Sequence, residues 1–543
     1  MNRFWEAFRG RLNREDHFRD LIAAPQAGLP LAASWNTGEN HLDGNGDAGF
    51  HPKFQIELLE AGHFILPWFE LWPYWRPGSY WKQTGKYYWH AMRYCARHGL
   101  PISLVSRQWE DGLIKKPFFD RPPRRNPNLV RPDGKIVQQV SPFGPLDAWR
   151  ELGRKWVSTE IVRALQAMYP NPPLIVWVSN NESPKPRWKE IYQVSQRYRD
   201  RYEPVAGAPR LPGDCRRKAV AEGWRERYKA LTDSMRQSLA LETWRKNSKF
   251  IVYKGGYVHD LGRWPKWIQQ SFATDEYFTF EPLALDGVSV HGYIDDWSEN
   301  EDFRVWSPQV SAQNWVFMQQ EAERLHPGFW FEISTWDGGV KQRKKLARRG
   351  EKYSPKRYQG MVQFMMWLIR PACVREFRKS TQTRTEYLDY LMAVVEAVDR
   401  VHLSPVLQRF WLDGRLVANP HGGHPYQTGS LKRLAKKYRD APRWFLLDAG
   451  ANPPRKSWSS DHLTVLSVFA LALVAGEAPH RQWLLYAHAP QGPRRGTEIT
   501  IPGYKPVRIN VDVAGSFYVI DESSGRVTPV DLALRGARAS HVS

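Results

Sequence analysis

The chain predicts an α/β protein, a (β/α)8 TIM barrel with a C-terminal all-β, β-sandwich-like accessory domain. Pro173-Leu174-Ile175-Val176-Trp177-Val178-Ser179-Asn180-Asn181-Glu182 and Gly328-Phe329-Trp330-Phe331-Glu332-Ile333-Ser334 each run an apolar, β-branched and aromatic segment straight into a glutamate. Two strands that deliver acids in this way suit the C-terminal mouth of such a barrel. Extended apolar runs alternate with long amphipathic stretches, the pattern of parallel strands covered by helices. From about Asn419 the texture shifts to Gly, Pro and Lys/Arg and then to short strand-like segments.

Leu29 to Trp35 is the first predicted strand, with a helix over Pro52 to Ala61; His63 to Leu71 is the second, with a helix over Ser79 to His98. Leu100 to Trp109 is the third, and a Pro/Arg-rich loop through Arg131 delays its helix, Leu146 to Met168. Pro173 to Ser179 is the fourth, and a charged helical insert, residues 187–249, separates it from the fifth at Phe250 to Tyr253. Gly287 to Ile294 is the sixth, followed by helical periodicity over Pro308 to Leu325, and Phe329 to Ile333 is the seventh. The eighth is expected at Leu368 to Arg375, because Met361 to Val374 is apolar on all sides and Pro371 interrupts it. Tyr387 to Val401 closes the barrel. The predicted division is residues 1–417 for the catalytic barrel and 418–543 for the β-sandwich-like domain. Its strands are expected at Trp444 to Leu447, Trp483 to Ala487, Thr497 to Ile501, Val507 to Val511 and Ser516 to Ile520.

At 543 residues the chain exceeds the roughly 250–300 at which single cores stop growing, so two domains are the default. Lys and Arg total 78 against 56 Asp and Glu, a formal +22, which favours anionic partners without naming one. Cys95, Cys215 and Cys373 are odd in number and far apart, which excludes a disulfide framework and a CxxC metal site. The charged start, Met1 to Gly10, lacks the apolar core of a signal peptide, so the protein is expected to begin in the cytoplasm unless a leader was removed or export follows another route. The apolar run Leu463 to Gly476 is shorter than the ~20 residues of a membrane span and reads as sheet core. No Walker loop, Rossmann fingerprint, zinc signature or Gly-x-Ser-x-Gly elbow is present, and no cofactor or metal is expected. Asp43-Gly44-Asn45-Gly46-Asp47 alternates oxygen ligands, but Phe54 stands where an EF-hand needs its glutamate.

Glycosidic cleavage passes through an oxocarbenium-like state, so one carboxyl group protonates the departing oxygen while another captures or stabilises the anomeric carbon. Glu182 and Glu332, 150 residues apart, meet that minimum, and Asn180 and Asn181 add neutral donors for a sugar hydroxyl. Here the sequence resembles the clan A retaining glycoside hydrolases, barrels in which an Asn-Glu pair ends the fourth strand and a second Glu ends the seventh. The resemblance implies that Glu182 is the general acid/base, Asn181 binds the 2-hydroxyl, Glu332 is the nucleophile, and Tyr293 supports it, with His291 on the same face. It covers about Leu29 to Val401 and assigns no family within the clan. The spacing between the glutamates is longer than is usual there, which the charged insert explains, and the first strand lacks the arginine of many members.

Aromatic residues are the second line of argument, because flat rings stack on the C–H faces of pyranoses. Of 26 Trp, several fall in inferred strand-to-helix loops, among them Trp72, Trp109, Trp297 and Trp336, whereas Trp177 and Trp330 lie inside strands and read as core. Glu70 and Glu110 are placed to bond sugar hydroxyls or to pair with Arg76 and Arg107. Asp295, Asp296 and Asp337 stand just past the sixth and seventh strands. The expected function is retaining hydrolysis of a poly- or oligosaccharide, an anionic one included. A non-catalytic carbohydrate-binding barrel and a polyanion- or nucleic-acid-binding protein are the alternatives.

Overall fold

The computed structural model describes residues 27–35, 53–71, 79–180, 194–203, 213–254, 284–293, 315, 316, 319, 320, 322–336, 347, 354–377, 384–418, 468–490 and 492–530. Eight parallel strands form one sheet: β1 (Leu31–Ser34), β2 (Trp68–Leu71), β3 (Ile102–Ser106), β6 (Ile175–Ser179), β7 (Ser248–Lys254), β8 (Gly287–Tyr293), β9 (Trp330–Trp336) and β10 (Cys373–Glu376). They neighbour one another in chain order, and β10 returns to pair with β1. One bridge closes the remaining gap: the Ala32 amide donates to the Phe64 carbonyl at 3.0 Å and the Leu66 amide to the Ala32 carbonyl at 2.8 Å. The barrel is thus nearly closed, the seam between β1 and the segment leading into β2 resting on this bridge.

The first six strands fall where their apolar runs predict. Two elements differ. The seventh continues three residues past Ile333, to Trp336. The region expected to contain the eighth strand begins instead as a helix, α8 (Pro355–Ile369), with the strand itself starting at Cys373. Ser354 caps α8 by accepting the Arg357 amide at 3.2 Å, Pro355 occupies its first turn, and Arg370 ends it in a left-handed conformation at φ 51°. Every residue from Arg357 to Ile369 is buried, so its all-round apolarity is that of a helix covered on both sides rather than of a strand.

Helices cover the barrel: α1 (Lys53–Glu60), α2 (Ser79–His98), α3 (Leu146–Val157), α4 (Glu160–Met168), α5 (Gln196–Tyr202), α6 (Gly213–Ser238), α7 (Glu242–Asn247), α9 (Arg384–Leu403) and α10 (Pro405–Asp413). The charged insert is helical in its described parts, and α6 packs along α3 so closely that a Cβ on Gly153 would meet the Leu231 carbonyl. The loop after the third strand is more ordered than its Pro/Arg content suggests, with a 3-10 turn over Trp109–Ile114 and a hairpin of β4 (Asn128–Val130) and β5 (Ile136–Val140).

The C-terminal region is all β in its described residues, as expected. A five-stranded antiparallel sheet is ordered β11 (Arg415–Leu416), β12 (Phe469–Ala475), β13 (Gln482–His488), β16 (Ser516–Asp521) and β17 (Val527–Pro529), and a hairpin of β14 (Arg494–Thr500) and β15 (Pro506–Val511) accompanies it. Trp444 to Leu447, also read as a strand, lies outside the described residues. One face of the large sheet packs on α8: Phe364 meets Phe469 edge-on at 5.6 Å, Trp367 meets Phe517 at 5.4 Å, and Gln363 donates to the Ala514 carbonyl at 2.9 Å. Phe469, Leu471, Tyr486 and Phe517 thus belong to the same apolar core as the barrel.

His488 lies in this seam, fully buried and stacked on Phe469 at 5.1 Å. Burial, reinforced by the Arg357 charge, pushes its pKa down to about 3. The folded chain therefore holds His488 neutral while the unfolded chain, with a pKa near 6.5, takes up a proton. Stability is complete above that value and falls as the pH drops toward 3, by about 1.4 kcal/mol per pH unit once well below 6.5. His488→Phe should flatten this acid limb, read by denaturant titration at pH 7 and pH 5.

Candidate active site

In a barrel strand alternate side chains face the interior. Partners in register across a parallel sheet share a face, so Glu332 of β9 lies between Ser289 of β8 and Cys373 of β10. Glu332 has no exposed surface, nor has Arg375 two residues further along β10. The guanidinium grips the carboxylate with two bonds, Nε to Oε2 at 2.9 Å and Nη2 to Oε1 at 3.1 Å. Trp330 Nε1 donates to Oε1 at 2.9 Å, and Cys373 bonds the same carboxylate through its thiol. Burial pushes the Cys373 thiol well up, and the Glu332 charge adds to the effect. Arg375 also donates to the Ser34 carbonyl at 3.1 Å and Ser103 Oγ at 3.2 Å, so a single side chain ties together strands one, three, seven and eight.

Trp35 lies above this pair. Its ring covers the guanidinium at 5.2 Å, its Nε1 donates to Ser334 Oγ at 2.6 Å, and Tyr253 meets it edge-on at 5.5 Å. Trp35 and Tyr253 are 5% and 6% exposed, so they roof the ionic pair from the side of the strands' C-terminal ends.

This geometry corrects the position expected of Glu332. It is the third residue of a seven-residue strand, not its last, and at about 3.3 Å per residue it sits about 13 Å along the strand from Trp336. Trp336, half-buried and packed edge-on against Phe377 at 5.5 Å, holds the last position of the strand on that face, and Asp337 follows in the chain. By register Tyr293 pairs with Trp336 and His291 with Ser334, so both stand further along their strand than Ser289, the neighbour of Glu332.

On the opposite side, Asn180 follows directly on β6, and its amide donates to the Ser106 carbonyl at 3.0 Å. Asn181, Glu182, Trp72 and Trp297 lie outside the described residues. Glu70 is buried on β2, in register with Val105 on the inner face. Glu110 is buried too, but it accepts the Tyr228 hydroxyl of α6 at 2.8 Å and so joins the insert to the barrel. Trp109, expected to face sugar, is 1% exposed, with its carbonyl bound by Trp156 Nε1 at 3.0 Å and its ring edge-on to Phe250; it is core. The rings read as core, Trp177 and Trp330, are respectively buried and half-buried.

Arg375, Trp35, Tyr253 and Ser334 were not singled out from sequence. The signal available was an arginine in Cys373-Val374-Arg375-Glu376, a short strand of an all-parallel sheet, where a charge requires a buried partner. Among the described residues no cluster of three or more His, Cys, Asp or Glu side chains is placed to hold a metal ion, and no helix is long and apolar enough to cross a membrane.

No protein-family model and no curated protein matches the chain. Among solved structures it is similar to a glycoside hydrolase family 5 enzyme from Prevotella bryantii B14, at 9% identity over 70% of this chain and 97% of that one, with a TM-score of 0.34. A mutant of that enzyme in complex with a xyloglucan tetradecasaccharide gives 9% identity, 71% and 98% coverage and a TM-score of 0.31. An alpha-amylase from Geobacillus thermoleovorans complexed with acarbose gives 8%, 80% and 91% coverage and 0.26. Likenesses at these scores carry no argument about chemistry, and the barrel rests on its own strand pairing.

Removing one member of a buried ion pair strands the other's charge, at a cost of about 3–5 kcal/mol. Arg375→Met should therefore lower stability by about that amount, and Glu332→Leu combined with Arg375→Met should recover part of it. A double-mutant cycle in urea measures the coupling; additive losses would separate the two side chains energetically.

Proposed function

We propose that this protein is a glycosidase working at the C-terminal mouth of its barrel, with Glu182 as general acid/base. The observation that supports the reading is the fourth strand: β6 ends at Ser179, Asn180 leaves it at the end of the barrel where such folds place their chemistry, and Asn181 and Glu182 come next in the sequence. Half-buried Trp336 offers a ring to a sugar there, and Trp35, Tyr253 and Ser334 form the buried floor beneath it. The substrate class is a poly- or oligosaccharide.

Retention needs a second carboxylate about 5–5.5 Å from the first, at the height of the bound sugar. Glu332 was read as that group. Its burial and its two-bond attachment to Arg375 oppose the role, because attack would require breaking a desolvated ion pair. We assign the attack to a carboxylate nearer the mouth, for which Asp337, next in sequence after the strand and outside the described residues, is the candidate, and assign to Glu332 the task of neutralising and fixing Arg375 beneath Trp35. Glu182 then protonates the departing oxygen and afterwards takes a proton from water.

Glu182→Ala should retain turnover on aryl glycosides with good leaving groups, and azide should restore its rate with a product of retained configuration. Asp337→Gly with azide should give the inverted azide product, while Glu332→Gln should lose stability and keep that chemistry. An inverted product from Glu332→Gly with azide, and none from Asp337→Gly, would return the nucleophile to Glu332. A second reading, a carbohydrate-binding barrel without turnover, is favoured by the aromatic Trp336 at the end of the seventh strand. Tight glycan binding without release of reducing ends from any polysaccharide would establish it.

A further inference from the structure

The excursion between the third strand and α3 rises from the same rim as Asn180, two residues before Glu182 in the sequence. It is rooted by the Trp109 amide donating to Ser179 Oγ at 3.1 Å, three residues before Glu182 in the chain. It carries an unbalanced charge. Lys115, Arg124, Arg125, Arg131 and Lys135 are all exposed, and among the described residues none has a carboxylate within ion-pair distance. Of the exposed acids on the same stretch, Asp120 is taken by Lys116 at 3.5 Å, and Asp133 accepts the Lys135 backbone amide at 2.9 Å in the hairpin turn.

A solvated loop would need no internal framework, yet this one is built rigidly. Arg197 of α5 spends its guanidinium on three carbonyls, Pro123 and Asn126 at 2.6 Å each and Asn128 at 3.2 Å. Asn126 Nδ2 donates to the Phe119 and Arg121 carbonyls at 2.8 Å each, Asn128 Nδ2 reaches the Leu113 carbonyl at 2.8 Å, and Arg121 is tied to Glu151 at 2.8 Å. The polar groups beneath hold the backbone, so the five cations project from ordered backbone positions. A preordered backbone loses less entropy on meeting a charged polymer than a mobile loop does.

We propose that this platform binds an anionic polysaccharide, carboxylated or sulfated, and extends the sugar site outward from the mouth; the inference rests on the glycosidase reading for its partner. A polysaccharide fits better than a single-stranded nucleic acid, because Phe118 is buried with Arg121 over its ring and Phe119 is half-buried, which leaves no fully exposed ring for a base. Attraction through exposed charges is screened by salt, with a Debye length of about 8 Å at physiological ionic strength.

The test compares the native chain with a fourfold variant, Arg124→Glu, Arg125→Glu, Arg131→Glu and Lys135→Glu. Binding is measured to polygalacturonate and its fully methyl-esterified form, to dextran sulfate and dextran, and to a DNA duplex. All four side chains are exposed, and an unchanged thermal melt confirms the fold. At low salt the native chain should bind at least one anionic polymer about tenfold tighter than its neutral counterpart, with the advantage falling as salt rises and disappearing in the variant. Equal binding by both proteins, or no preference over the neutral polymer, overturns the proposal. DNA bound more tightly than either anionic polysaccharide, and lost in the variant, overturns it in favour of a nucleic acid. Polymer binding is read without turnover, and turnover of an aryl glycoside is read without polymer, so a failure of catalysis and a failure of the platform are distinguished.

Discussion

A carboxylate and a guanidinium without exposed surface face each other across two strands inside this barrel, and much of the interior is arranged around them. Desolvating both charges is costly, and only good geometry with every remaining donor and acceptor occupied offsets it. Here the occupancy is high: Glu332 accepts from Arg375 twice and from Trp330, and Arg375 donates onward to the Ser34 carbonyl and Ser103. An apolar barrel core could slide or repack with modest loss, whereas these directional bonds fix strands one, three, seven and eight in relative register. The cation also supplies the underside of Trp35, whose other contacts, Ser334 and Tyr253, belong to strands seven and five.

The same arrangement explains how the interior divides by height. The ion pair and its hydrogen bonds lie above the Trp330 ring, and further toward the C-terminal ends the interior is again aromatic. Trp35, Tyr253 and Trp336 are rings of this upper part, and the segments that complete the mouth follow them in the chain. The loop after strand three is held to the fourth strand at Ser179 and to the helical insert through Glu110 and Tyr228. The insert therefore bears directly on the rim that carries Asn180.

Most of the barrel was legible because buried parallel strands read as continuous apolar runs, and the first seven fall within their predicted segments or overrun them by a few residues. The eighth begins five residues later than its expected start, at Cys373, for a definite reason. Met361 to Ile369 is apolar all round, which periodicity alone cannot assign, and the partner that makes it a doubly covered helix, the sheet at Phe469 and Phe517, is 105 to 150 residues away in sequence. The site was legible in its chemistry and less so in its depth. An acid after an apolar run looks the same whether the strand stops there or continues, and Ile333-Ser334-Thr335-Trp336 continues with a β-branched and aromatic pattern that only pairing with β8 and β10 reveals as strand. Trp109 was misjudged similarly: a ring just past a strand faces solvent unless a neighbouring helix, here α3 through Trp156, folds over it.

The antiparallel sheet shares its hydrophobic interior with α8, the connection between strands seven and eight, and even Tyr486 directs its hydroxyl to the Gly360 carbonyl at 2.5 Å. A chain shortened at residue 417 would leave Phe364 and Trp367 without their cover on the very helix that links the strand of Glu332 to the strand of Arg375. Anyone wishing to graft this barrel onto another carrier, or to exchange its appendage for a different one, would have to redesign the outward surface of that helix first.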